Sequence, residues 1–354
     1  MLNKNEINIL DLPDEMLLSI FNKLNNIDIL YSLVDVNQRF DRLVFNSLYI
    51  HDLNFTSNLL LDCEFKEYSK HFNRICTSIL PRIRHQINKL TLRQLSIQRV
   101  LYTCNFPQLH SLSLVSIDLT RLLLYLIDCP KFHYLLRNQI MYFNLDIQSN
   151  NTKSFESVNN FDDCLYLLDG RFNRLSTLII DIEEISISIA TIENLKQLSK
   201  LKCFSLISIE QTRFYDDQIV PLIRQMSNLE ELTLFLIIKR YDSSYIDGIQ
   251  LYDQILIHMP RLNKFTFSIN TLVHNRYVNI TLPSNDDIQR SFIERKYQQV
   301  GSYADDNLIE YEARCHIYSL PYQFDNFHHL NNSFQGGIFE KVDTPSFYLY
   351  EQTS

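Results

Sequence analysis

A chain of 354 residues with 45% hydrophobic and 21% charged side chains carries enough apolar material to bury a large core, which excludes a disordered tail or a peptide that needs staples. Its 33 basic and 41 acidic residues give a formal charge of -8 and are scattered without a Lys/Arg block, so neither nucleic acid nor an anionic membrane is expected as a partner. The seven Cys lie far apart, from Cys63 to Cys315, which leaves no disulfide framework or CxxC metal pair to read and suits a reducing compartment.

The first residues, Met1 to Asp11, include Lys4 and Glu6 and no apolar run of signal-peptide length. Later hydrophobic stretches break short of the roughly 18 residues of a membrane span, so a cytoplasmic or nuclear protein is expected. Leu12-Pro13-Asp14-Glu15 then opens a segment with Leu17, Ile20, Phe21 and Leu24 on one helical face. Pro13 suits the first helical position, and Asp14 and Glu15 meet the positive end of the helix dipole. Asn25-Asn26 breaks this helix. Asp28 can cap a second short helix through Ile29, Leu30, Leu33 and Val36, and Asn37 a third through Phe40, Leu43 and Val44. Three helices in about forty residues bury little on their own, so a partner or a following domain is expected to cover the rest.

From Leu12 to Tyr49 the segment LPDEMLLSIFNKLNNIDILYSLVDVNQRFDRLVFNSLY resembles the F-box family: an LP-D/E start, an I/L-F-x-x-L helix, a D-L-L-like second helix and an R-F/W-x-x-L third helix occur in order. Asn37 stands where many members have Cys, and Phe40 and Tyr49 where many have Trp. The resemblance implies a module of residues 1–54 that docks on Skp1 and through it on a cullin. It also implies that Leu12, Pro13, Ile20, Leu24, Ile29, Leu30, Val36 and Phe40 contact Skp1 or support that contact.

Further along, L-x-x-L-x-L recurs as Ile87/Leu90/Leu92, Leu109/Leu112/Leu114, Tyr142/Leu145/Ile147, Leu175/Leu178/Ile180, Leu201/Phe204/Leu206, Leu229/Leu232/Leu234 and Leu262/Phe265/Phe267, at steps of 22, 33, 33, 26, 28 and 33 residues. Helical periodicity fills the intervals at Leu119–Ile127, Asp162–Leu168, Asp217–Met226 and Tyr245–Met259. Pro107, Pro130 and Pro260 are each expected to end a helix before the next strand. A repeated strand and helix cannot bury its apolar face alone, so residues 55–270 are read as an irregular α/β solenoid, resembling the leucine-rich repeats of F-box proteins, although the Asn of regular repeats is missing. Leu178, Leu206 and Leu232 should be core.

Residues 271–354 lose the repeat and are read as a carboxy-terminal cap, with a helix at Asp286–Gln299, strands at Cys315–Leu320 and Phe347–Tyr350, and a turn at Gly336-Gly337. No phosphate-cradling glycine motif occurs among the five Gly. Cys129 with His133, Cys315 with His316, and His328 with His329 lack a third ligand or orienting group at a telling spacing. A non-enzymatic chain without cofactor or metal is expected.

Side chains alternate along a strand, so Thr177, Ile179, Ser205, Ile207, Thr233 and Phe235 should share the face opposite the leucines and bind a target protein. The whole strip has Lys264 and no Arg, which argues for a ligand recognised without phosphate. The resemblance implies a substrate adaptor of an SCF-type ubiquitin ligase. The alternative is a Skp1-binding or free structural protein without a degradation target, and the target itself is not legible.

Overall fold

In six of the seven L-x-x-L-x-L segments all three apolar positions are buried or half-buried, as an extended segment with one face on an apolar layer requires. This is seen in a computed structural model that describes residues 9–45, 48–56, 70, 72–148, 165, 167–168, 172–186, 200–241, 244–274, 284–293, 299–307 and 312–327. The protein is mixed α/β and divides into two units, residues 1–146 and 147–354.

The first unit begins with three short helices, α1 (Asp14–Phe21), α2 (Asn26–Leu33) and α3 (Gln38–Phe45). Pro13 is the residue before α1 and not its first turn, and its carbonyl accepts from the Met16 and Leu17 amides at 3.1 Å. α1 stops at Phe21, short of Leu24. Asn25 caps α2 by accepting from the Ile27 amide at 2.9 Å, which leaves Asp28 inside the helix and not at its start. Asn37 accepts from the Phe40 amide at 2.8 Å, the cap expected of α3.

Strands β1 (Asp52–Asn54), β2 (Lys89–Arg93), β3 (Ser111–Asp118) and β4 (Tyr142–Gln148) are neighbours in that order, with β1, β2 and β3 parallel. Between them run a π turn (Ile75–Ile79) leading into α4 (Leu80–Ile83), then α5 (Gln94–Thr103), α6 (Leu119–Asp128) and α7 (Pro130–Asn138). β1 lies within the stretch read as purely helical: Ile50, Leu53 and Phe55 are buried and form an additional L-x-x-L-x-L. The register also changes at β4. Ile140, Phe143 and Leu145 are buried while Tyr142 is 46% exposed, so this repeat starts two residues earlier than Tyr142/Leu145/Ile147. Pro107 does lie between a helix and a strand, but Pro130 opens α7, where its missing N–H costs no helical bond.

In the second unit β5 (Thr177–Ile182), β6 (Cys203–Thr212), β7 (Glu231–Arg240) and β8 (Lys264–His274) are parallel, and the sheet continues antiparallel through β10 (Glu312–Ser319) to β9 (Val300–Asn307). A π turn (Tyr215–Ile219) with α8 (Val220–Arg224), α9 (Gly248–Gln254) and α10 (Asn285–Ile293) accompany these strands. β8 runs through residue 270, so the carboxy-terminal strands extend the sheet across that boundary. Leu178, Leu206 and Leu232 are fully buried, as expected. The expected strand Phe347–Tyr350, the turn at Gly336-Gly337, His328, His329 and most of Asp162–Leu168 lie outside the described residues.

One backbone device stacks the repeats within each unit. The carbonyl after the first leucine position accepts from two successive amides of the next repeat: Asn88 from His110 and Ser111, His110 from Met141 and Tyr142, Ser176 from Lys202 and Cys203, Lys202 from Glu230 and Glu231, and Glu230 from Asn263 and Lys264. Turn carbonyls are thereby satisfied at the same place in five successive-repeat contacts.

Candidate protein-binding surfaces

The helical part of the first unit splits its apolar residues between two faces. Leu17 and Phe21 of α1 turn inward, where the Phe21 ring meets Phe40 edge-on at 6.0 Å. Ile29, Leu30 and Phe40 are buried as well, so they join the three helices and do not offer contact to a partner. Pro13, Met16, Ile20 and Leu24 are exposed, Ile20 at 40%, and Val36 is 60% exposed between α2 and α3. Leu12 is half-buried. Six of the sixteen large apolar side chains exposed among the described residues fall between Ile9 and Val36, a concentration that marks an interaction surface.

Arg39 of α3 fixes this surface. Its guanidinium donates to the Leu10 carbonyl at 2.6 Å, the Leu12 carbonyl at 2.5 Å and Asp14 Oδ1 at 2.8 Å, while Arg42 reaches Asp14 Oδ2 at 2.6 Å. The planar fork holds the chain entering α1 in one position. On the other side, Arg74 donates to the Tyr31 and Val34 carbonyls at 3.1 and 2.7 Å, and Arg82 pairs with Asp35 at 2.8 Å above the Phe45 ring. The three helices are thus braced against the helical segment that leads into β2.

In the second unit the strand register brings five of the six expected recognition residues together on one accessible face. Ile179, Ser205 and Thr233 lie in one row, Asp181, Ile207 and Phe235 in the next, and Thr177 beside Cys203 at the strand starts. Phe235 is a correction: it is 3% exposed and cannot offer a free surface. Residues 320–327 fold over it, with Phe324 at 5.2 Å, and Tyr318, Tyr322 and Phe327 complete an aromatic cluster against which Ile207 packs. The Tyr322 hydroxyl lies 3.3 Å from Ser268 Oγ and donates to the Asn326 carbonyl; Ser268 also contacts His316 Nε2 at 2.9 Å. Burial pushes the Tyr318 phenol up to about 12, so the cluster carries no phenolate at neutral pH.

Sequence reasoning missed residues 320–327, although YSLPYQFDNF is conspicuously aromatic, and it carried the face on β7 no further than Phe235. β7 continues on the same face to Lys239, which with Glu184, Gln211 and Arg213 lines a groove of about 330 Å³ at the strand ends, the Arg213 guanidinium lying 4.8 Å from the Tyr241 ring. Cys129 and His133 do not converge on a reaction centre: the Cys129 sulfur caps α7, accepting from the Phe132 amide at 3.4 Å. Cys315 and His316 are successive in β10 and point to opposite sheet faces, and burial pushes the Cys315 thiol up to about 12. Among the described residues no three His, Cys, Asp or Glu are grouped as metal ligands, and no helix is long and apolar enough to cross a membrane. The chain matches no protein-family model and no curated protein.

Proposed function

We propose that this protein is a substrate adaptor that docks on Skp1 through α1–α3 and offers the polar and apolar face of its second unit to a target protein. The observation that carries the reading is the exposed row Pro13, Met16, Ile20 and Leu24, set in a segment whose residue order resembles the F-box and held in place by Arg39. An apolar row left in water by a helix braced through Arg39 and Arg42 is the form a docking surface takes. The stacked turns and parallel strands support the view of the remainder as an irregular leucine-rich-repeat-like solenoid, a scaffold that presents one strand face to ligands. On this reading Ile29, Leu30 and Phe40 support the contact, and Pro13, Ile20, Leu24 and Val36 make it.

Affinity purification of the full chain followed by mass spectrometry tests the proposal. Skp1 and a cullin should co-purify with the wild type and be lost with Ile20→Glu/Leu24→Glu, and at least one co-purifying protein should live longer in cells when the adaptor is removed. A wild-type preparation free of Skp1 and cullin would overturn it. Skp1 without any protein whose lifetime depends on this chain would favour the non-degrading alternative.

A further inference from the structure

On the open face of the second unit, β6 departs from its neighbour. Ile207 pairs with Phe235, but the next pair is Gln211 with Ile237, so four residue steps of β6 pass two of β7. The surplus residues form a bulge, a feature that re-aims side chains and is frequent beside functional sites. Its effect here is to leave Ile209 42% exposed. Among the described residues it is the one exposed large apolar side chain on a strand of this unit, since Ile249, Ile257 and Ile293 belong to helical segments.

Ile209 does not stand on a flat surface. Together with Ile207, Phe235 and Phe324 it lines a groove of about 210 Å³ between the bulge and residues 320–327, with Asp181 and Asp325 at its margin. The Phe235–Phe324 pair and the Tyr322 hydrogen bonds hold the outer wall, so the groove is preformed. Its volume is below the roughly 300–1,000 Å³ of small-molecule sites and suits one side chain of a longer ligand. Its lining contains two carboxylates and no Lys, Arg or His, which favours a cation beside the apolar group and disfavours an anion.

We infer that this groove receives an extended peptide segment of the partner, with one bulky aliphatic or aromatic side chain seated on Ile207 and Ile209 and a Lys or Arg within two positions of it paired to Asp325. The inference rests on the adaptor reading only in taking this face as the one that meets the target. It specifies the ligand that the strip read from the sequence could not: Phe235 and Phe324 are covered and form the floor, and Ile207 and Ile209 are the contact.

A positional-scanning library of short synthetic peptides, screened against the purified full chain, provides the test. The library should select a bulky apolar residue with Lys or Arg nearby. For the best peptide, Ile209→Glu should weaken binding by about 30-fold or more, the scale of a central contact. Asp325→Asn should erase the preference for the basic residue, and the dependence of affinity on salt, while the apolar preference remains. Ile209 is exposed, and an unchanged melting temperature of Ile209→Glu verifies that the fold is intact. Failure to select any sequence, selection of acidic or phosphorylated peptides, which would move the site to Arg213 and Lys239, or full affinity in Ile209→Glu would each overturn the inference. Skp1 titration of the same preparations keeps the two readings apart. Skp1 binding without peptide selection rejects the groove alone, and peptide selection without Skp1 binding rejects the adaptor alone.

Discussion

At the scale of single residues, the structure is held by charges whose geometry can be tested one at a time. Asp35 adopts a positive φ of 65° and takes a hydrogen bond from Arg82 and charge from Arg82 and Arg74, and the Arg82 bond leads in holding its carboxyl below the ordinary 3.8. The folded chain therefore binds this proton less readily than the unfolded one. Its contribution is complete above the unfolded value and is lost as pH falls through the lower folded one. Asn tolerates a left-handed backbone, so Asp35→Asn removes the charge without adding strain. The difference in melting temperature between wild type and Asp35→Asn should be constant at neutral pH and shrink below about pH 4; a difference that persists unchanged into strong acid would contradict the assignment. The cysteines give a second residue-scale prediction. Cys76, Cys104, Cys129 and Cys315 are buried and Cys203 is half-buried, and burial pushes the Cys76 thiol up to about 12. Iodoacetamide labelling of the native protein, resolved by mass spectrometry, should modify Cys203 first among these five and the other four only on unfolding.

At the scale of elements, the apolar period was the most legible signal and the local caps were less so. The repeat at Leu175, Leu201 and Leu229 was readable because a leucine opened each unit and at least one more followed at an inward position. Around β4, Ile140 and Phe143 supply the same positions less conspicuously, and Tyr142 imitated one, since a half-exposed tyrosine satisfies an apolar pattern as well as a core residue does. The additional repeat at Ile50, Leu53 and Phe55 was hidden because it follows directly on the helical module. Asn25 took the cap expected of Asp28 because it stands one residue before the helix, where its short side chain reaches the Ile27 amide. The β6 bulge and the path of residues 320–327 leave no periodic trace, and they decide which side chains of the face are accessible. The register itself is testable. Ile140→Ala should lose about 2–5 kcal/mol in urea unfolding, and Tyr142→Ala should change stability by no more than about 0.5 kcal/mol. The reverse ranking would restore the rejected register.

At the scale of the whole molecule, each unit carries one surface that its own packing leaves unfinished. In residues 1–146 it is the apolar row from Pro13 to Leu24 along and beside α1, and in residues 147–354 it is the bulged face bordered by residues 320–327. The first was legible as a pattern of residue types, but only burial separates Pro13, Ile20, Leu24 and Val36, which are free to touch a partner, from Ile29, Leu30 and Phe40, which are not. Binding of Skp1 to the first surface, as proposed, is read by isothermal titration of purified Skp1 into the full chain. The wild type should bind with one-to-one stoichiometry. Ile20→Glu/Leu24→Glu should weaken binding by at least about 30-fold, or about 2 kcal/mol, with an unchanged melting temperature because both side chains are exposed. Ile209→Glu should bind Skp1 as the wild type does. Undiminished affinity in a folded Ile20→Glu/Leu24→Glu variant, or no heat of binding from the wild type, would show that this surface does not bind Skp1.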